Sequence, residues 1–128
     1  MDSIQIAATQ RTPDVQFNFD ANEFSITGES YPENVTDFYG SLMEALETHL
    51  ESQEGAKVTF KFELVYINSS TAKIVMEIFD LLDQTGERGN EVTIIWRIEE
   101  EDDNMQELGE EFAEDLESVT FTIETFSG

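Results

Sequence analysis

The chain has no cysteine, a single histidine, two prolines and only six basic residues, set against 29 acidic ones. Without cysteine there is no disulfide framework and no thiolate metal site, which fits a cytoplasmic protein. With His49 as the one imidazole, catalytic triads and multi-histidine metal clusters are excluded by inventory. A formal net charge of -23 excludes the basic footprint that nucleic acid requires and disfavours anionic membrane surfaces. No apolar run approaches the ~18 residues that suggest a membrane span. The opening MDSIQIAATQ lacks the basic and apolar regions of a secretion signal, so neither export nor membrane insertion is expected. Phosphate-cradling patterns such as GxxxxGK[ST] and GxGxxG are also missing, and no cofactor or metal site is expected.

What is present is 39% hydrophobic residues in 128, enough for one domain over residues 1–128. Apolar and polar residues alternate at Ile4 and Ile6, at Val15, Phe17 and Phe19, and at Phe24 and Ile26. The last two runs flank a turn at Asp20 to Glu23, which predicts an antiparallel hairpin. From Val35 the apolar positions Phe38, Leu42, Leu46 and Leu50 take helical spacing, ending by Gly55.

A strand follows from Val58, with Val58, Phe60, Phe62, Leu64 and Tyr66 on one face; Val65 and Ile67 predict that its end is buried on both. A helix carrying Ile74, Val75, Ile78, Phe79 and Leu82 is closed by Gly86 and Gly89, and a second doubly apolar strand runs from Val92 to Ile98. The stretch Glu99 to Glu117 has no Lys or Arg, yet Met105, Leu108, Phe112 and Leu116 keep helical spacing, so an acidic loop and an amphipathic helix are predicted. A last strand holds Val119, Phe121 and Ile123. The class is α/β: a mixed sheet with an N-terminal antiparallel hairpin, three helices and right-handed parallel crossovers.

Candidate chemistry is sparse. In so acidic a chain paired carboxylates occur by chance, and Asp102, Asp103 and Asn104 lack the spacing and central Gly of a calcium loop. Trp96 reads as core, and His49 as a surface residue near a helix C-terminus, where a cation complements the dipole. The hydroxyl cluster in YINSSTAK, residues 66–73, stands apart. It lies at the C-terminal end of a central strand and the start of a helix, the edge where functional loops of α/β folds gather. One helix needs one N-cap; Asn68, Ser69, Ser70 and Thr71 all compete for that role. A phosphoryl group here would meet free amides and the positive end of the helix dipole, and would add up to two negative charges, enough to repel a partner that fits the bare hydroxyl.

The segments AATQRTP (7–13), GESYPEN (28–34), YINSST (66–71) and GEEF (109–112), in this order, resemble the recurrent motifs of the SiaC family of bacterial regulatory phosphoproteins. The resemblance spans essentially the whole chain. It implies a non-enzymatic domain, similar in fold to the STAS-like anti-anti-sigma regulators, in a partner-switching circuit. A Ser/Thr protein kinase would phosphorylate it, a PP2C-type phosphatase would reverse this, and the bare form would bind and activate a diguanylate cyclase, promoting cyclic-di-GMP synthesis. The family's acceptor, the hydroxyl residue directly after the motif Asn, falls on Ser69, where some relatives carry Thr. Tyr66, Asn68, Ser70 and Thr71, with Tyr31, Pro32, Glu33 and Asn34, are the implied phosphosite loop and partner surface. The alternative output is an anti-anti-sigma antagonist that sequesters an anti-sigma kinase; an acid-catalysed hydrolase is the alternative from another class.

Overall fold

The computed structural model describes residues 2–127. Three strands, β1 (Ile4–Ile6), β2 (Asp14–Asn18) and β3 (Glu23–Ser30), form an antiparallel meander. Helix α1 (Val35–Glu51), strand β4 (Lys57–Ile67), helix α2 (Ser69–Glu87), strand β5 (Glu91–Glu99), helix α3 (Asp103–Ala113) and strand β6 (Val119–Phe126) then alternate. β3, β4, β5 and β6 are parallel neighbours, giving one six-stranded sheet ordered β1-β2-β3-β4-β5-β6. The predicted hairpin turns at Asn22, whose φ of 54° is the left-handed conformation that Asn tolerates.

Because the parallel connections step in one direction, crossovers of one hand stack all three helices on the same side of the sheet. Burial follows this: Val58, Phe60, Phe62 and Leu64 of β4 and Val92, Ile94, Trp96 and Ile98 of β5 are buried, and pack with Leu42, Leu46, Val75, Ile78 and Leu82 of the helices. Trp96 lies in this core as predicted, its Nε1–H donating to the Met105 carbonyl at 3.0 Å. The opposite face is open and holds Gln16, Ser25, Lys61, Thr93 and Ile95. There Arg97 pairs with Glu63 and Glu124 and lies 5.0 Å from the Phe126 ring centroid.

The open face corrects the expectation that β4 and β5 are buried on both sides. A bulge opposite Gly28/Glu29 inserts Val65 as an extra residue, since Leu64 pairs with Gly28 and Tyr66 with Glu29. The strand twists there, and Tyr66, expected on the core face, is 51% exposed beside Val65 at 41%. Gly86 is likewise not a terminator. It lies inside α2 against the Ser118 carbonyl, where a Cβ would collide with backbone, and Gly89 at φ 100° follows the helix end. Among the described residues no helix is long and apolar enough to cross a membrane.

Candidate functional site

The C-terminal ends of β3 and β4 lie side by side, Ser30 opposite Ile67, and from this edge the chain enters α1 and α2. Asn68 is the N-cap of α2. Its side-chain oxygen accepts the Thr71 amide at 2.9 Å, its carbonyl accepts Ala72 N–H at 3.0 Å, and its own N–H donates to the Ser30 carbonyl at 3.1 Å. Three bonds thus hold the turn to the end of β3 and to the helix. Asn34 caps α1 in the same way, accepting the Asp37 amide at 3.1 Å.

Thr71 is buried, and its hydroxyl donates to the Ser30 carbonyl at 3.1 Å. Because that proton is committed, the 2.9 Å contact between the Thr71 and Ser30 hydroxyls has Ser30 as donor, and the 2.6 Å contact between Ser30 and Tyr39 has the phenol as donor. One consistent chain results: Tyr39 to Ser30, Ser30 to Thr71, Thr71 to the backbone. Burial pushes the Tyr39 phenol above its ordinary value, against the smaller opposing effect of the nearby Ser30 and Thr71 hydroxyls, and keeps it protonated as the chain requires.

Ser69 and Ser70 are exposed at the first two positions of α2, and neither side chain has a hydrogen-bond partner among the described residues. Of the four cap candidates, Asn68 caps and Thr71 is consumed by the buried chain. The two free hydroxyls stand beside the Asn68 cap, at the start of the helix. The first turn of α2 carries no acidic residue, in a chain with 29 of them, whereas the first turns of α1 and α3 carry Asp37 and Asp103. The positive end of the α2 dipole therefore has no acidic side chain in its own first turn to compensate it. Lys73, exposed, follows Ser69 at the i,i+4 spacing that brings side chains together on a helix surface.

The sequence-predicted residues of the first helix entry gather beside this turn. Tyr31 and Tyr66 meet edge to face with centroids 5.5 Å apart, Pro32 is buried, and Glu33 is exposed and paired with Arg11. Arg11 is held by a loop that Thr9 closes, its hydroxyl accepting the Arg11 amide at 3.2 Å and the Thr12 amide at 3.1 Å. The Arg11 carbonyl accepts Tyr31 N–H at 2.7 Å, fixing loop to strand end. An open cleft between this loop and α1 is lined by Arg11, Pro32, Glu33, Asn34 and Phe38. Three of the four motifs thus converge. The fourth, GEEF, lies in α3 and serves packing: Gly109 rests on the Trp96 indole, where a Cβ would collide, and Phe112 meets the Phe79 and Trp96 rings, each at 5.8 Å.

Sequence reading missed Arg11, Ser30 and Tyr39. Tyr39 does keep helical spacing between Val35 and Leu42, and that signal could have found it. His49 is half-buried, a correction to the surface reading. Its Nε2–H donates to Asn22 Oδ1 at 2.5 Å, its ring meets Phe19 at 5.0 Å, and burial, the larger effect, lowers its pKa despite nearby Asp20. Neutral imidazole ties the end of α1 to the hairpin turn instead of complementing the dipole with charge. Asp102, in the cation-loop candidate, caps α3 by accepting the Met105 amide at 3.1 Å.

Residues 6–126 match the family model described as SiaC family regulatory phosphoprotein. An uncharacterized protein of Pseudomonas aeruginosa (strain UCBPP-PA14) is 33% identical over 124 residues, 97% of each chain. The crystal structure of apo-SiaC from Pseudomonas aeruginosa is 34% identical with a TM-score of 0.86, covering 97% of this chain and 99% of that one. SiaC in a crystal structure with the diguanylate cyclase SiaD, which it activates, is 32% identical with a TM-score of 0.89, covering 96% of this chain and 99% of that one. With its motifs convergent and its fold shared end to end, the chain belongs to the SiaC family of regulatory phosphoproteins.

Proposed function

We propose that this chain is a phosphorylation-controlled activator of a diguanylate cyclase, performing no catalysis of its own. The bare protein binds the cyclase and promotes cyclic-di-GMP synthesis. A Ser/Thr kinase transfers the γ-phosphoryl group of ATP to Ser69 Oγ, leaving ADP, and the modified form no longer binds. A PP2C-type phosphatase hydrolyses the phosphoserine and restores the bare state. This reading sets the chain in the cytoplasm, where the nucleotide substrates of kinase and cyclase are available. The observation that carries it is the solved complex of a SiaC 32% identical to this chain with the cyclase that SiaC activates.

The local chemistry supports the switch. Phosphate on Ser69 would meet the free amides at the helix start, the positive end of the dipole and Lys73 at one turn, so α2 accommodates it without unfolding. Tyr66, Tyr31 and Val65 lie on the same edge and supply apolar contact area for a partner that the added charge would repel. Ser70 is exposed as well, so single variants decide between the hydroxyls. With the cognate kinase and ATP, intact mass should show one phosphate on wild type and on Ser70→Ala and none on Ser69→Ala; undiminished labelling of Ser69→Ala overturns the acceptor. Ser69→Asp should weaken cyclase binding in the same preparation.

A further inference from the structure

A groove of about 220 Å³ runs between α2 and α3, away from the phosphosite turn. Its apolar floor is formed by Phe112, Leu116 and Met76, which at 53% is the most exposed large apolar side chain among the described residues. Its rim is formed by Asp80, Glu111 and Asp115, and no Lys or Arg lines it. Asp83 fixes one end, accepting the amides of Glu117 and Ser118 at 3.0 and 2.8 Å, so the segment after α3 that carries Leu116 is held in place. The volume is below the ~300 Å³ at which small-molecule sites begin, and matches one or two anchoring side chains.

From this arrangement we infer that the groove docks a basic amphipathic helix of a protein partner, an apolar side chain seated on Met76, Phe112 and Leu116 with flanking Lys or Arg facing the carboxylates. Two parallel-running requirements meet there. An exposed apolar floor gains by being covered, which is the role of a buried anchor at an interface. A rim of one sign selects the charge of what covers it and repels a second copy of this acidic chain.

The groove is separate from the Ser69 switch in position and in sign. Met76 follows Ser69 by two helical turns, roughly 10 Å along the axis. Phosphate at Ser69 has the charge sign of the rim and lies about a Debye length away, so it leaves a basic occupant in place or attracts it slightly. The occupant is accordingly a partner retained in both states.

The test uses a fluorescein-labelled helical peptide of about four turns with leucines at i, i+3, i+4 and i+7 and lysines elsewhere, and a second peptide of the same composition with scattered leucines. Anisotropy at physiological salt should show the amphipathic peptide binding the full chain about tenfold tighter than the scattered one. Met76→Asp should weaken it about fivefold, although this change makes the protein more acidic. That sign is decisive, because attraction by net charge alone predicts equal or tighter binding. Met76→Ser serves as the uncharged second variant, with far-UV circular dichroism verifying the fold of both. Replacing the rim together, as Asp80→Asn, Glu111→Gln and Asp115→Asn, should also weaken binding, and Ser69→Asp should not. Equal affinity of the two peptides, no measurable binding, unchanged or tighter binding by both Met76 variants, or loss of binding in Ser69→Asp overturns the inference.

Discussion

Tyr39 is the buried end of the hydroxyl chain behind the phosphosite, and its removal tests that chain. Tyr39→Phe keeps the ring packing but deprives Ser30 of its donor, which should cost about 1 kcal/mol in urea unfolding, with most of the effect transmitted to the first turn of α2. Gly109→Ala should cost more, about 1 to 3 kcal/mol, because the added methyl must displace the Trp96 indole from a close-packed core. At His49 the pKa is lowered in the folded state, so protonation favours the unfolded chain. The stability it contributes is present above the ordinary histidine value of about 6.5 and is lost as pH falls through and below it. Melting temperatures of wild type and His49→Gln, compared from about pH 7.5 down to about pH 5.5, should show wild type losing ground relative to the variant. Helical spacing marks Tyr39 as a core position, but its hydrogen-bonding role, like the roles of Gly109 and His49, was not legible in the sequence. Ser30, Tyr39 and Thr71 are brought together by the β3–β4 register, and His49 is half-buried only because the hairpin turn folds over the end of α1.

At the scale of elements, every predicted strand and helix forms, and in the predicted order, because each keeps a strong period on its core face. The one-sided sheet was not legible. Val65, Ile67 and Ile95 are β-branched, and such residues favour strands on half-exposed faces as well as buried ones, so their presence mimicked a second buried face. The cap of α2 was ambiguous for a related reason. Which of Asn68, Ser69, Ser70 and Thr71 caps depends on where β4 stops pairing, and that is set by the long-range bond from Asn68 N–H to the Ser30 carbonyl. Asn68→Ala should therefore destabilise the protein by about 1 kcal/mol. Hydrogen exchange should quicken first at the Thr71 and Ala72 amides, whose acceptors are the Asn68 side chain and carbonyl. Unchanged exchange there would assign the cap elsewhere.

For the whole molecule the dominant quantity is the net charge of -23. Self-repulsion of this size opposes compaction, and screening relieves it as the Debye length falls from about 10 Å at 0.1 M salt to about 3 Å at 1 M. The melting temperature should rise with sodium chloride over that range, and a flat response would mean that the acidic surface is too dispersed to matter. Against this background α2 is, among the described helices, the one whose first turn carries no negative charge, and it is there that the proposed switch would add it. The most direct test of that account is cyclic-di-GMP production by the cognate diguanylate cyclase with stoichiometric bare protein and with protein phosphorylated at Ser69. The bare form should activate strongly and the phosphorylated form little, with recovery after PP2C-type phosphatase treatment; equal activation by both forms would mean that phosphate at Ser69 is not the switch.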